Sequence, residues 1–410
     1  MPASAFVSSL LPAHLTSSFV ATTASNAHAL PTTRTLRPRG AAAPARMTAA
    51  APAAASEKTA KKKPLGIGII GAGRIGQVHA ETITKRSKNA RLIGVASGTK
   101  ELAEQCSLEH GCAPYFDYME LMDNPEVEAV MICSASNQHT AQIIEAAKRG
   151  LHIFCEKPID TDLAVIDKAL VAVREAGVKL QVGFNRRFDA NYRRVHDAVR
   201  SGEVGKPHII HITSRDPSPP PIEYVKVSGG IWLDCAIHDF DMSRFLVGDE
   251  VEEVYALGAC NIKPEFADYD DVDTSLVTLR FKNGCIGTID NSRQAVYGYD
   301  QRCEVFGEKG SIHINNNYAN SAVLSTNQNI KRDLPLHFFM DRYTDSFITE
   351  VDDFVDVVQN GKKIPCTGLD GRAPVVIALA AKRSYLEKRP VRIDEVDIPL
   401  PKELEGWDGQ

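Results

Sequence analysis

Leu65-Gly-Ile-Gly-Ile-Ile70-Gly71-Ala-Gly73-Arg74-Ile75-Gly76 opens the folded part of this 410-residue chain. A short apolar run leads straight into three glycines, and Gln77–Arg86 behind them has helical composition. That is strand, tight turn and helix, the context in which the spacing Gly-x-Gly-x-x-Gly carries information. Gly71 lets the chain turn, Gly73 lets a pyrophosphate approach the backbone, and Gly76 lets the helix lie close on the strand. The N-terminus of that helix offers free N–H groups and a positive dipole end to phosphates. Gly71, Gly73, Arg74, Ile75 and Gly76 are therefore read as dinucleotide-binding residues. Arg91–Ala96, Ala129–Cys133, His152–Cys155 and Lys179–Phe184 read as further strands, with helices at Lys100–His110 and His139–Arg149. Such alternation predicts an α/β, Rossmann-type parallel sheet covered on both faces, over residues 64–187.

The end of the second strand bears on the cofactor. An NAD-preferring fold usually places an acid there for the ribose hydroxyls; this chain has Ser97-Gly98-Thr99-Lys100. No carboxylate repels a 2′-phosphate, Ser97 and Thr99 can donate hydrogen bonds, and Lys100 or Arg74 can pair with its charge. The cofactor is read as NAD(P), with NADP(H) modestly favoured.

Two stretches carry the chemistry. The fifth strand runs into Glu156-Lys157-Pro158, at the carboxyl end of a parallel sheet, where ligands bind. Further on, Gly229-Gly230 opens a segment in which Asp234 and His238 are four residues apart, which on one continuous helix, Ile231–Leu246, puts them on one face. A carboxylate beside an imidazole can fix its tautomer and raise its basicity, as a general base requires.

Together with Gly183-Phe184-Asn185-Arg186-Arg187-Phe188, these motifs resemble the glucose-fructose oxidoreductase, inositol dehydrogenase and rhizopine catabolism family, known as Gfo/Idh/MocA, from about Leu65 to Arg392. The loop Ser214–Tyr224 is most similar to the inositol 2-dehydrogenase branch. The resemblance implies catalytic roles for Lys157, Asp234 and His238. His238 would be the general base, Asp234 would orient it and touch a substrate hydroxyl, and Lys157 would hold the reacting oxygen. It also implies that Glu156, Lys157, Asn185 and Arg186 border the nicotinamide, and that Asn185, Arg215 and Asp216 contact the polyol. Ser134-Ala-Ser136-Asn-Gln-His139 stands where the family usually has Thr-Pro-Asn-x-x-His, so Ser134, Ser136 and His139 are placed beside the cofactor. The activity implied is oxidation of a secondary alcohol of a cyclic polyol, foremost myo-inositol to its 2-keto form, without a metal. Another sugar dehydrogenase, a sugar–sugar oxidoreductase with tightly bound NADP, and a non-catalytic dinucleotide sensor remain open.

Beyond Phe188 successive strands replace the alternation, with Asn283-Gly284 as a hairpin signal. Residues 188–395 are read as an α+β domain with a large, mostly antiparallel, open-faced sheet and one covering helix. Helices after 343 return to the first domain, and 396–410 form a loose tail. In the family the open face joins subunits, so a homo-dimer or homo-tetramer is expected. A net charge of −5 argues against a nucleic-acid partner, and no apolar run is long enough to span a membrane. Nine scattered cysteines without a paired spacing suggest neither a zinc site nor a disulfide framework. Residues 1–63 are read as a disordered, transit-like extension. Its first 56 residues contain no Asp or Glu, and Met1–Thr33 contains no charged side chain. That composition leans toward a plastid address, with mitochondrion or cytoplasm as alternatives.

Overall fold

The computed structural model describes residues 62–410, and the transit-like reading therefore lies, up to residue 61, outside the described residues. The first sheet is built from β1 (Leu65–Ile70), β2 (Ala90–Ala96), β3 (Ala113–Tyr115), β4 (Ala129–Ile132), β5 (His152–Glu156) and β6 (Leu180–Gly183). They lie in the order β3-β2-β1-β4-β5-β6, all parallel. Every residue of β1 is buried, as a central strand covered on both faces must be. Helices α1 (Arg74–Glu81), α2 (Lys100–His110), α3 (Tyr118–Met122), α4 (Ser136–Lys148) and α5 (Leu163–Ala176) make the crossovers. The predicted helix through Arg86 ends in a wider π turn at Thr82–Arg86.

After α6 (Ala190–Arg200) comes the second sheet. Its strands are β7 (Pro207–Arg215), β8 (Val251–Ala259), β9 (Thr274–Phe281), β10 (Ile286–Ser292), β11 (Asp300–Gly307) and β12 (Gly310–Ile314). A small hairpin, β13 (Val323–Ser325) and β14 (Ile330–Arg332), lies apart, and β15 (Val391–Arg392) joins the sheet edge. All pairs in the large sheet are antiparallel except β7 with β10. Between β7 and β8 stand α7 (Ile222–Ser228), α8 (Gly230–Asp234) and α9 (Ile237–Val247).

Three expectations change: the single helix, its sole place on the sheet and the loose tail. The helix expected over Ile231–Leu246 is two helices, α8 and α9. The inner sheet face carries two helices, α9 on β7 and α12 (Gly368–Glu387) on β8. After a short α10 (Phe339–Arg342), α11 (Thr344–Asn360) lays Val351, Phe354 and Val355 against Ile67, Ile69, Met131 and Phe154 of the first sheet, so the second domain's chain completes the first domain's core. Residues 396–410 are packed rather than loose: Leu404 is buried against the main core, and the Gln410 side chain accepts from the Ile364 amide at 2.7 Å.

Candidate active site

The first sheet ends in a cleft of about 760 Å³, lined by the β1–α1 turn, Ala96–Thr99, Phe116–Tyr118, Cys133–Ala135, Gln138 and Gln142. Gly71 has φ +107°, open only to glycine without strain, and a Cβ on Gly76 would lie 1.9 Å from the Gly71 carbonyl oxygen. A Cβ on Gly73 would meet nothing among the described residues within 4 Å, so this backbone is bare toward the cleft. Gly73 caps α1 without a side-chain hydrogen bond, and the first turn holds no acid. Free amides, a bare backbone and a first turn without a carboxylate fit a pyrophosphate.

Around this turn the expected cofactor residues divide. Ser97, Thr99 and Ser134 line the cleft, and the Ser97 hydroxyl accepts from the Thr99 amide at 3.1 Å. Arg74, Ile75, Lys100 and Ser136 lie outside its lining. Arg74 sits over the Phe338 ring at 5.6 Å, and Lys100 is 3.7 Å from Glu104. His139 is buried, its ring nitrogens 2.8 Å from the Pro158 carbonyl and 3.0 Å from the Ser134 carbonyl. It therefore ties the loop after β4 to the Lys157–Pro158 turn rather than facing the cleft. Burial holds its pKa below the usual imidazole value, although both carbonyls favour the proton. Glu156 also turns inward, 2.7 Å from buried His79. Phe116 and Asp117, which line the cleft, follow a three-residue strand whose pattern is too short to read.

At the end of the neighbouring β5, Lys157 reaches across to the second domain. Its Nζ donates to the Asp234 main-chain carbonyl at 3.1 Å and lies 3.8 Å from Asp234 Oδ1. That carbonyl is free because the helix breaks here. The His238 amide bonds weakly to the Cys235 carbonyl at 3.4 Å, and the Ala236 amide closes a wider turn on Ile231 at 2.8 Å. Gly229 and Gly230, with φ of +82° and +77°, let the chain enter α8, whose Ile231 amide is capped by Asp271 at 2.7 Å.

The expected carboxylate–imidazole pair is not formed. Asp234 Oδ1 accepts from the Tyr224 hydroxyl at 2.8 Å and Oδ2 from Arg293 at 2.9 Å, whereas His238 Nδ1 is buried without a partner among the described residues. Nor is the imidazole made more basic. Burial, then the charges of Lys157 and Arg186, hold the His238 pKa well below its ordinary value. Burial works against ionisation of Asp234 too, but Arg293, Lys157 and the Tyr224 hydroxyl outweigh it and its pKa is lowered. Lys157, Asp234 and the His238 ring, which stands edge-on to Phe184, thus form one neighbourhood with different internal bonding.

The remaining expected substrate residues separate further. Arg186 is buried and donates to Asp239 and, at 3.2 Å, to Ser214; Asn185 is buried with its amide 3.5 Å from Ser346. Arg215 is on the wrong side of its strand. Because side chains alternate along β7, Ser214 faces inward and Arg215 outward, where it pairs with Asp290 at 2.7 Å. Asp216 does stay near the site, but bonded to Arg293 at 3.2 Å. Arg293 and Tyr224 were missed as partners of Asp234, since neither has a spacing relation to it. Tyr343 is buried beneath Arg186, with the guanidinium 5.9 Å from its ring centre.

Comparison with known proteins fits this architecture. Residues 65–184 match the oxidoreductase family with an NAD-binding Rossmann fold, and residues 192–313 match the GFO/IDH/MocA C-terminal domain. The chain is 45% identical over 334 residues to a myo-inositol 2-dehydrogenase of Thermotoga maritima, covering 80% of this chain and 99% of that protein. It is 42% identical to an inositol 2-dehydrogenase of Rhizobium meliloti, covering 80% of this chain and 98% of that one. A crystal structure of scyllo-inositol dehydrogenase from Lactobacillus casei, with bound NAD(H) and scyllo-inositol, superposes with a TM-score of 0.77 at 28% identity, over 81% of this chain and 100% of that one. With both of its sheets and nearly the whole length of these relatives matched, the chain belongs to the Gfo/Idh/MocA family of NAD-binding oxidoreductases.

Proposed function

We propose that this protein is an inositol 2-dehydrogenase, oxidising one ring hydroxyl of myo-inositol to the ketone. The observation that carries the reading is Lys157, at the carboxyl end of β5, bonded to Asp234, with His238 four residues further along that segment. When bound, the dinucleotide supplies the hydride-accepting chemistry. Gly71, Gly73 and Gly76 seat its pyrophosphate. The Lys157 ammonium holds the reacting oxygen and stabilises its growing negative charge. His238, neutral because its pKa is low, takes the hydroxyl proton. Asp234 stays ionised and accepts a neighbouring substrate hydroxyl while it fixes Lys157. Arg186 is held by Asp239 and Ser214 and Asn185 by Ser346, and Arg215 is turned to the outer face of its sheet.

The test is a panel of inositol isomers and aldoses with NAD and with NADP, followed by reduced-nicotinamide absorbance. Turnover is expected with myo-inositol above the aldoses; an aldose preferred over every inositol would overturn the substrate assignment. We also propose that NADP(H) is accepted alongside NAD(H), because Ser97 and Thr99 rather than an acid line the cleft after β2. Asp117 lines the same cleft and limits that preference. A kcat/KM about tenfold or more in favour of NAD, about 1.4 kcal/mol, would count against it. A plastid location is our further proposal, from the acid-free N-terminal 56 residues. A fluorescent fusion of residues 1–63 tests it, and diffuse cytoplasmic signal would refute it.

A further inference from the structure

We infer that Arg293 is a positioning residue of this site. It acts through Asp234, fixing that carboxylate toward Lys157 and tying the segment from Asp216 to Tyr224 to it. The inference rests on the dehydrogenase reading above and concerns a residue that reading leaves idle.

Arg293 follows β10 directly, and its main chain is held by its own amide donating to the Asp273 carbonyl at 2.8 Å. The Asp216 main chain is bonded on both sides of it, its amide to the Ser292 carbonyl at 2.9 Å and its carbonyl to the Ala295 amide at 2.6 Å. From this fixed base the guanidinium, with only 4% of the side chain exposed, forks. One nitrogen donates to Asp234 Oδ2 at 2.9 Å and another to Asp216 Oδ2 at 3.2 Å. Only a guanidinium can direct donors at two carboxylates in fixed relation; an ammonium is a point charge. Among the described residues, the buried pairs Arg186–Asp239 and Arg187–Asp241 use wholly buried carboxylates, and Asp167 and Asp189, opposite Arg372 and Arg342, are 3% and 9% exposed. Asp234 instead keeps 13% of its side chain exposed and holds Lys157 and Tyr224 as well.

The charges explain what Arg293 does. Asp234 is faced by the cations Lys157 and Arg293, the acids Asp216 and Asp271, and the uncharged Tyr224 and His238. With Arg293 present, two cations face Asp234. Without it, Lys157 alone does, while Arg186 still faces Asp216. Asp234 then either takes a proton or draws the ammonium into a direct ion pair, and in both cases Lys157 is displaced from the reacting oxygen.

The experiment uses the full-length protein with Arg293→Gln and Arg293→Lys. Three quantities are measured: NADH affinity by fluorescence, the pH profile of kcat and KM for myo-inositol, and the Asp234 carboxyl titration by ¹³C NMR without substrate. Asp234→Asn assigns the NMR signal. Arg293→Gln is expected to lower kcat about 100-fold, as misplacement of a reacting group does, with NADH affinity unchanged. Its Asp234 titration moves up by about one pH unit. Arg293→Lys restores part of kcat and of that titration. A folded Arg293→Gln protein with the wild-type Asp234 titration would reduce Arg293 to a structural role. If that variant does not fold, Arg293→Lys decides: lowered kcat at unchanged NADH affinity supports the inference, and wild-type kcat and titration overturn it. Wild-type protein inert toward every inositol would instead sink the dehydrogenase reading, while the Asp234 titration would still judge Arg293.

Discussion

Released from its helix, the Asp234 carbonyl accepts Lys157, so one residue serves the lysine with its main chain and holds Tyr224 and Arg293 with its side chain. His238→Ala and Lys157→Ala are each expected to lower kcat about 10²- to 10⁴-fold with cofactor binding retained, which steady-state kinetics and an NADH titration check together. The low His238 pKa sets the sign of the pH dependence. A base must be neutral to act, so activity falls as pH drops through that pKa, and the acid limb lies below the ordinary imidazole value of about 6.5. A second buried group makes a separate prediction. Glu350 has no hydrogen bond to either carboxyl oxygen among the described residues, with His79 Nε2 3.9 Å from Oε1, and burial, with Glu156 nearby, holds its pKa well above normal. Its folded pKa exceeds its unfolded one, so it costs stability increasingly as pH rises between the two. Glu350→Gln is therefore expected to gain Tm over wild type progressively as pH rises above the ordinary carboxylate range in thermal melts. The Asp234–His238 spacing was legible in the sequence because it is local. Arg293 was not, because it lies 59 residues from Asp234 and is brought there only by the sheet.

At the scale of elements, the β1–α1 unit separates two glycine roles. A Cβ on Gly73 has open space, so Gly73→Ala should fold with an unchanged melting curve. Its methyl group intrudes where the pyrophosphate sits, and NADH affinity should fall about tenfold or more. A Cβ on Gly76 would overlap the Gly71 carbonyl, so Gly76→Ala should lose stability itself, by about 1–3 kcal/mol in urea unfolding. Five of the six strands of the first sheet were legible, since buried parallel strands read as apolar runs. Three-residue β3 was too short to show a pattern. The break between α8 and α9 was invisible for another reason: the segment's residues suit one helix, and the Lys157 bond that competes for the Asp234 carbonyl comes from 77 residues away. In β7 the two-residue period was available, and it would have placed Arg215 opposite Ser214 had the inward face been known.

Across the whole molecule, the outer face of the second sheet carries Leu257, Leu276, Ile286 and Phe306, each between 46% and 51% exposed. Register aligns Leu257 with Leu276, and Ile286 and Phe306 both with Ile209, so they share that face. We propose that a second copy of the chain covers it, which the apolar area favours. Light scattering should give a dimer or tetramer at micromolar concentration, and Leu276→Glu with Ile286→Glu should shift it toward the monomer. The two-domain layout was legible from the change of strand pattern near Phe188. The return of α11 into the first core was expected only from resemblance, because no local pattern says which sheet a helix will cover. That return means the nucleotide-binding half cannot be lifted out as a gene fragment. Cut after residue 187, it would lack Val351, Phe354 and Val355 and show water a raw trough of Ile67, Ile69, Met131 and Phe154. Such a fragment is expected to precipitate on expression, and co-expressing a polypeptide that contains residues 344–360 to bring it back into the supernatant.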